Sequence, residues 1–300
     1  MTKIVRAMRM AVDDFFEDNC MSMAAALSYY TIFSLPPLLV IVVTIAGYFF
    51  GPAAVQGRIS REIGDMIGAG AATAVEGMIQ SASERIAGGS MAAWLGVAAL
   101  VFAATTALAQ LQQALNRAWE VAPDPDQGGI RNFVKKRILS FGMIVGISFL
   151  LLVSLALNTA LAAIGDQLRV FLPHGMSAGL LLGIATLLSF LVVTALFGAM
   201  FRVLPDAVIG WRDVLPGAVF TSVLFNVGKF FVGFYLGTSD PGSAFGAAGS
   251  LAVILVWTYY ASAILLLGAE FTQAWVRMDG REIVPEKGAV RVVEEFRRIA

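Results

Sequence analysis

The 300-residue chain balances 21 basic against 21 acidic residues, and only 14% of its residues are charged while 58% are hydrophobic. A soluble domain carries roughly 25% charged residues, and so few charges cannot cover a surface that must meet water. With a mean hydropathy of +0.78, the composition excludes a soluble enzyme, a disordered chain and a basic nucleic-acid-binding protein, and it indicates lipid as the solvent.

The chain has a single cysteine, Cys20, and a single histidine, His174. These counts exclude an intrachain disulfide, a CxxC metal site and any zinc site built on several histidines. We therefore expect no metal site, no cofactor and no catalytic residues.

Six apolar stretches are long enough to cross a hydrocarbon core, which takes about 20 residues in a helix. Because lipid offers backbone groups no hydrogen-bond partner, each stretch is predicted to be helical. The predicted fold is all-α: a single six-span membrane domain over residues 1–275, with amphipathic interfacial helices and a cytoplasmic tail over 276–300. The spans are predicted near residues 23–50, 89–111, 138–164, 177–201, 214–236 and 245–270.

The basic residues predict the orientation of the spans. Sixteen of the 21 lie in the N-terminal segment, in the loops after spans 2 and 4, and in the tail, whereas the opposite side holds four. Lys and Arg concentrate in cytoplasmic loops, so both termini are expected in the cytoplasm.

The long outward connection over residues 53–86 has apolar residues at helical spacing, interrupted by Gly68-Ala69-Gly70. The pattern predicts two short amphipathic helices. They would lie on the outer leaflet or cap the bundle, or they would form a lid over a substrate path.

Lys229 is predicted to lie inside span 5, where a charge costs about 2.5–3.5 kcal/mol at the centre of the membrane. It would snorkel to the outer surface, pair with Asp166 or Asp240, or contact a substrate. A polar groove joining it to Asn226 and Tyr30 would favour the last interpretation.

Span 1 combines hydroxyl groups with adjacent prolines. Proline removes a backbone donor and clashes with the carbonyl four residues earlier, so the helix is expected to kink or break at Pro36 and Pro37. A break would expose backbone groups to a ligand. At a kink, neighbouring hydroxyl groups would form hydrogen bonds with the backbone groups that the prolines leave without partners. Tyr30, Ser34 and Pro37 share a face that we expect to point inward.

Polar residues gather at the predicted cytoplasmic ends of spans 2, 4 and 6. They include Gln113, Asn116, Arg117 and, on span 6, Glu270. Together they would form a polar vestibule, or the arginines and the neighbouring tryptophans Trp119 and Trp211 would anchor the helix ends at the membrane interface.

Several motifs resemble those of the YihY/BrkB family of bacterial inner-membrane proteins. In chain order they are ALSYYTIFSLPPL (26–38), ALNRAW (114–119), LPD (204–206), WRD (211–213), PGA (216–218), FGAAGS (245–250), WTYY (257–260) and LGAE (267–270). The resemblance implies six transmembrane helices in the bacterial inner membrane.

The resemblance also implies envelope-lipid export by analogy. Members of the family have been labelled ribonuclease BN, but metal-dependent RNA hydrolysis needs a cluster of ligands around an activated water, which one histidine and scattered acids do not supply. We therefore expect a transporter or translocase of a lipid or other envelope-linked amphiphile that binds membrane lipids and no nucleic acid and is not an enzyme. The alternative is a scaffold that organises envelope partners, and the sequence leaves an oligomer open.

Overall fold

The computed structural model describes residues 3–86, 91–127, 176–238 and 247–292, together with residues 138, 142 and 146. Within these ranges the chain forms long helices and two pairs of short strands. The predicted third span, 138–164, lies outside the described residues except for its three isolated positions.

The helices, numbered in chain order, are α1 (Lys3–Glu17), α2 (Cys20–Phe50), α3 (Pro52–Ile67), α4 (Ala69–Ile86), α5 (Met91–Ala118), α6 (Met176–Val203), α7 (Trp211–Thr238) and α8 (Ala247–Met278). Four of them are long and apolar enough to cross a membrane over Cys20–Phe50, Thr186–Val203, Trp211–Val232 and Gly249–Met278. These segments match four of the predicted spans, and α5 covers most of the predicted second span. The mostly helical membrane character is confirmed, and the count of six spans stays a prediction.

Helix α2 continues through Pro36 and Pro37 without interruption, so the break, one of the two alternatives expected for span 1, is not found there. Prolines are tolerated in membrane helices because neighbouring groups satisfy the freed backbone atoms. The helix ends instead at Gly51, which has a φ of 85°. Glycine adopts this backbone conformation readily, whereas it is strained for other residues.

The connection over residues 53–86 forms the two expected helices, α3 and α4, which meet at Gly68 with a φ of 92°. Val75 and Ile79 of α4 pack with Leu39 of α2 and Trp257 of α8, and the half-buried Ile59 and Ile63 of α3 pack against the same cluster. The two amphipathic helices therefore lie against the bundle.

Helix α8 packs against α1, α2, α5 and α7. The largest buried cluster, around Trp119, Phe201 and Leu266, joins α8 to α5 and α6. Helix α1 lies on α8 through Ala7 and Ala11, two small side chains that allow close approach.

The segment after α8 is held on the bundle by short strands. β1 (Val121–Pro123) pairs antiparallel with β4 (Ala289–Arg291), and β2 (Ala207–Val208) pairs antiparallel with β3 (Val284–Pro285). The part of the predicted tail that the structure describes is thus tied to the loops that follow α5 and α6.

Helices α7 and α8 approach each other at reciprocal glycine–threonine contacts. A methyl group added at Gly217 would overlap Oγ1 of Thr272, and one added at Gly268 would overlap Oγ1 of Thr221. Each threonine hydroxyl donates to the carbonyl of the glycine four residues earlier on its own helix, at 2.8 Å. Small residues at such contacts let membrane helices pack backbone to backbone.

Gly217→Ala is expected to destabilise the folded protein by about 1–3 kcal/mol, because the added methyl group overpacks the contact. Thermal unfolding of the purified protein in detergent would show a lower midpoint. Gly77→Ala, in α4 with no atom within 4 Å of the added methyl, is the matched control and should leave the midpoint unchanged or slightly higher. Equal midpoints for Gly217→Ala and the wild type would contradict the contact.

Candidate functional site

Lys229 faces helix α3. Its Nζ lies 3.6 Å from Oε1 of Glu62, and Oε2 of the same carboxylate lies 3.4 Å from Nη2 of Arg58. The Lys229 side chain is 31% exposed, so it is partly buried and paired with a carboxylate. The two partners predicted for it, Asp166 and Asp240, lie outside the described residues, and the sequence did not indicate Glu62.

The contacts between α7 and α8 give the relative depths of the predicted site residues. The two helices run antiparallel, with Gly217 against Thr272 and Gly228 against the ring of Tyr260. Lys229 is therefore level with Tyr260, and Glu270 lies about 15 Å further along the axis at 1.5 Å per residue. The predicted residues thus form two groups at different depths.

The predicted site residues of α2 face the interior of the bundle, whereas Asn226 of α7 forms a hydrogen bond within its own helix. Ser34 and Pro37 are buried and Tyr30 is half-buried, so the shared face points inward as expected. Pro36 is half-buried, and exposed Asn226 donates to the carbonyl of Ser222 at 2.8 Å.

Asn116 belongs to a partly buried amide–carboxylate clamp between α5 and the turn after α6. Its Nδ2 donates to Oδ2 of Asp206 at 2.7 Å, and the backbone N–H of Asp206 donates back to its Oδ1 at 2.8 Å. Gln112 donates to the other carboxylate oxygen at 3.1 Å. The clamp fixes the end of α5 to the loop that leads into β2.

Glu270 lies completely buried in the middle of the helix packing, with 0% of its surface exposed. Its Oε1 lies 3.5 Å from Sγ of Cys20 on α2. The orientation of the Gln273 amide follows from its neighbours: the nitrogen donates to Oε2 of Glu270 at 3.2 Å and to the Ala118 carbonyl at 2.9 Å, and the oxygen accepts from Nη2 of Arg277 at 2.8 Å. Glu270 is therefore an interior group and does not line an open vestibule.

Arg277 continues this network to the surface. Its guanidinium donates to Asp14 of α1 at 3.0 Å and also pairs with Glu120, next to α5. Burial raises the pKa of the Asp14 carboxyl, and the Arg277 guanidinium opposes that shift. The three charged groups join α1, α5 and α8 at one end of the bundle.

An open groove of about 880 Å³ lies at this end of the bundle. Its polar lining carries both signs of charge, and Val121, Ala122, Pro123 and Val292 add apolar surface. The polar lining residues are Glu17, Asp18, Gln113, Asn116, Arg117, Glu120 and Arg291. Of the residues predicted at the ends of spans 2 and 6, Gln113, Asn116 and Arg117 meet here, whereas Glu270 lies deeper.

The two predicted anchor tryptophans differ. Trp119 is buried and its Nε1 donates to the Ala269 carbonyl at 3.1 Å, so its assignment as an interfacial anchor is wrong. Its indole fills the space between α5 and α8 because a polar partner is available there. Trp211 is exposed, with the Arg202 guanidinium 4.8 Å from its ring centre.

The sequence interpretation did not identify Gln112, Gln273 or Cys20 as members of polar contacts. The spacing of Gln112 four residues before Asn116, and of Gln273 three residues after Glu270, places each pair on one helix face and was a usable signal. Within the described residues, no group of three His, Cys, Asp or Glu side chains is arranged to hold a metal ion.

Comparison with known proteins identifies a family for this chain but no solved structure with a similar fold. Residues 11–291 match the family model described as virulence factor BrkB. A UPF0761 membrane protein of Stenotrophomonas maltophilia is 29% identical over 268 residues, which is 87% of this chain and 58% of the relative. A UPF0761 membrane protein of Pseudomonas aeruginosa is 27% identical over 301 residues, covering 95% of this chain and 68% of the relative. No solved structure matches.

A further relative, YfkH of Bacillus subtilis, is named a ribonuclease-like protein and is 25% identical over 251 residues, covering 83% of this chain and 87% of its own length. The chain spans less than two thirds of the length of the Stenotrophomonas relative. Because the family model covers most of its residues, the chain belongs to the BrkB family of membrane proteins.

Proposed function

We propose that this BrkB-family protein binds a lipid or other envelope-linked amphiphile and moves it across the bacterial inner membrane. The proposal concerns binding and movement, not catalysis. The alternative, a scaffold that organises envelope partners, predicts no movement of lipid.

The observation that supports the proposal is the groove beside α5. Its volume of about 880 Å³ falls in the range of small-molecule sites. Arg117 and Arg291 place cations beside the groove that suit a phosphate, with Arg291 also paired with Glu120 and Glu282. Glu17 and Asp18 place carboxylates there that suit an amine. Apolar lining residues beside these charges suit a molecule with a polar head and an apolar body.

The pairing of Lys229 with Glu62 gives the proposal a second element. This contact joins an intramembrane cation to an amphipathic helix lying on the bundle. Helix α3 would cover Lys229 until a negatively charged headgroup replaces Glu62 as its partner.

We infer that both termini, and with them the groove, face the cytoplasm, because the basic residues are concentrated on that side. A reporter fused to the C-terminus that is active only outside the cytoplasm is expected to be silent. Activity of that reporter would reverse the orientation.

The proposal is tested by reconstituting the purified protein into liposomes that contain a labelled phospholipid. The wild type is expected to move label between leaflets faster than protein-free liposomes do. Arg117→Gln and Lys229→Met should each slow this movement several-fold, because each removes a cation that would meet the headgroup.

Arg61→Gln is the matched control, since Arg61 is an exposed cation on α3 and should leave the rate unchanged. Glu62→Gln separates two roles of Lys229: if only the ion pair matters, this variant should match Lys229→Met, and if Lys229 contacts lipid, its rate should stay near that of the wild type. A wild-type rate equal to that of protein-free liposomes would contradict transport and favour the scaffold.

A further inference from the structure

Glu270 has weak partners for a fully buried carboxylate. Within the part of the chain that the structure describes, no Lys or Arg nitrogen lies within 4 Å of its oxygens, and its contacts are the Cys20 thiol at 3.5 Å and the Gln273 amide at 3.2 Å. A thiol is a weak hydrogen-bond donor. One weak donor and one neutral amide do not compensate a negative charge that has been removed from water.

The charged groups around Glu270 add to this imbalance. Asp14 on α1 and Asp18 in the turn before α2 repel a further negative charge, and Arg277 on α8 attracts one. Arg277, however, is already paired with Asp14 and Glu120. On α5, the positive charge of Arg117 interacts with the Cys20 thiol. The contact of Glu270 with α5 runs through Gln273, whose amide nitrogen donates to both Glu270 and the Ala118 carbonyl.

A small cavity lies one side chain away from Glu270. Gln273 lines a small cavity of about 130 Å³ together with Glu120, Arg277, Glu282 and Arg291. A polar space of that size has room for a few water molecules with several hydrogen-bond partners each. A movement of the Gln273 side chain would put the carboxyl in contact with them.

We propose that Glu270 is a proton-binding site, neutral in the packed bundle and exchanging its proton with water in the cavity behind Gln273. The carboxylate takes up one proton and becomes a carboxylic acid, and release returns that proton to the cavity water. The Oε1–Sγ contact can persist in both states because a thiol both donates and accepts. The site is independent of the proposed lipid movement.

Proton occupancy would then be coupled to helix packing. The contact of Glu270 with Cys20 joins α8 to the first residue of α2. Because an ionised carboxylate needs water or a new partner, loss of the proton favours separation of α2 from α8 at this point. An ionisable group inside a membrane bundle commonly marks such a functional element.

Infrared spectroscopy of the full-length protein in lipid nanodiscs at neutral pH tests the proposal. The wild type is expected to show the carbonyl stretching band of a protonated carboxylic acid, with a shift in D₂O. Glu270→Gln should remove this band, and Glu286→Gln, which changes an exposed carboxylate, should leave it in place. An unchanged band in Glu270→Gln, or none in the wild type, would overturn the proposal.

Cys20→Ala provides a second variant should Glu270→Gln fail to fold. It removes the hydrogen-bond partner of Oε1, so the carboxyl band should move to higher frequency, and a band at the wild-type position would overturn the assignment. Neither infrared measurement depends on lipid movement. A liposome assay that shows no lipid movement would therefore not bear on the protonation of Glu270.

Discussion

The close contact between α7 and α8 is the constraint on which the rest of the structure depends. Gly217 against Thr272 and Gly268 against Thr221 bring two backbones together and fix the register of the helices. In lipid there is little hydrophobic force to hold helices together, and the fit of small residues supplies packing instead. With α8 fixed in this way, Glu270 and Gln273 lie at set positions against α2 and α5.

Polar contacts complete the end of the bundle that this register defines. The Asn116–Asp206 clamp ties α5 to the loop after α6, and the Trp119 indole ties the end of α5 to the Ala269 carbonyl. Buried polar groups are costly unless they are hydrogen-bonded, so these pairs specify one arrangement. The same arrangement buries the Glu270 carboxyl, and among the described residues no Lys or Arg side chain contacts it.

Composition and apolar length predicted the helical membrane class and the position of four spans, because the thickness of the bilayer sets helix length directly. The glycine at position 68 predicted the division between α3 and α4. Pairings between distant segments could not be predicted, because they depend on how the helices pack. Examples are the contacts of Lys229 with Glu62 and of Glu270 with Cys20. The prolines of α2 left a kink and a break open, because both follow from the same local sequence pattern. Trp119 resembled an interfacial residue because it lies just beyond the end of a predicted span. It is buried because its indole packs against α8.

The central claim is that α2 and α8 close around Glu270 and exclude water from it. Cys20 is the chain's single cysteine and contacts Glu270, so its reactivity reports on this interface alone. In membrane vesicles at neutral pH, the account predicts that a maleimide reagent leaves Cys20 unmodified until the protein is unfolded. A Cys20→Ala protein that carries Ser81→Cys on the exposed face of α4 should react readily and serves as the positive control. Labelling of Cys20 in the folded protein as fast as that control would contradict a closed interface.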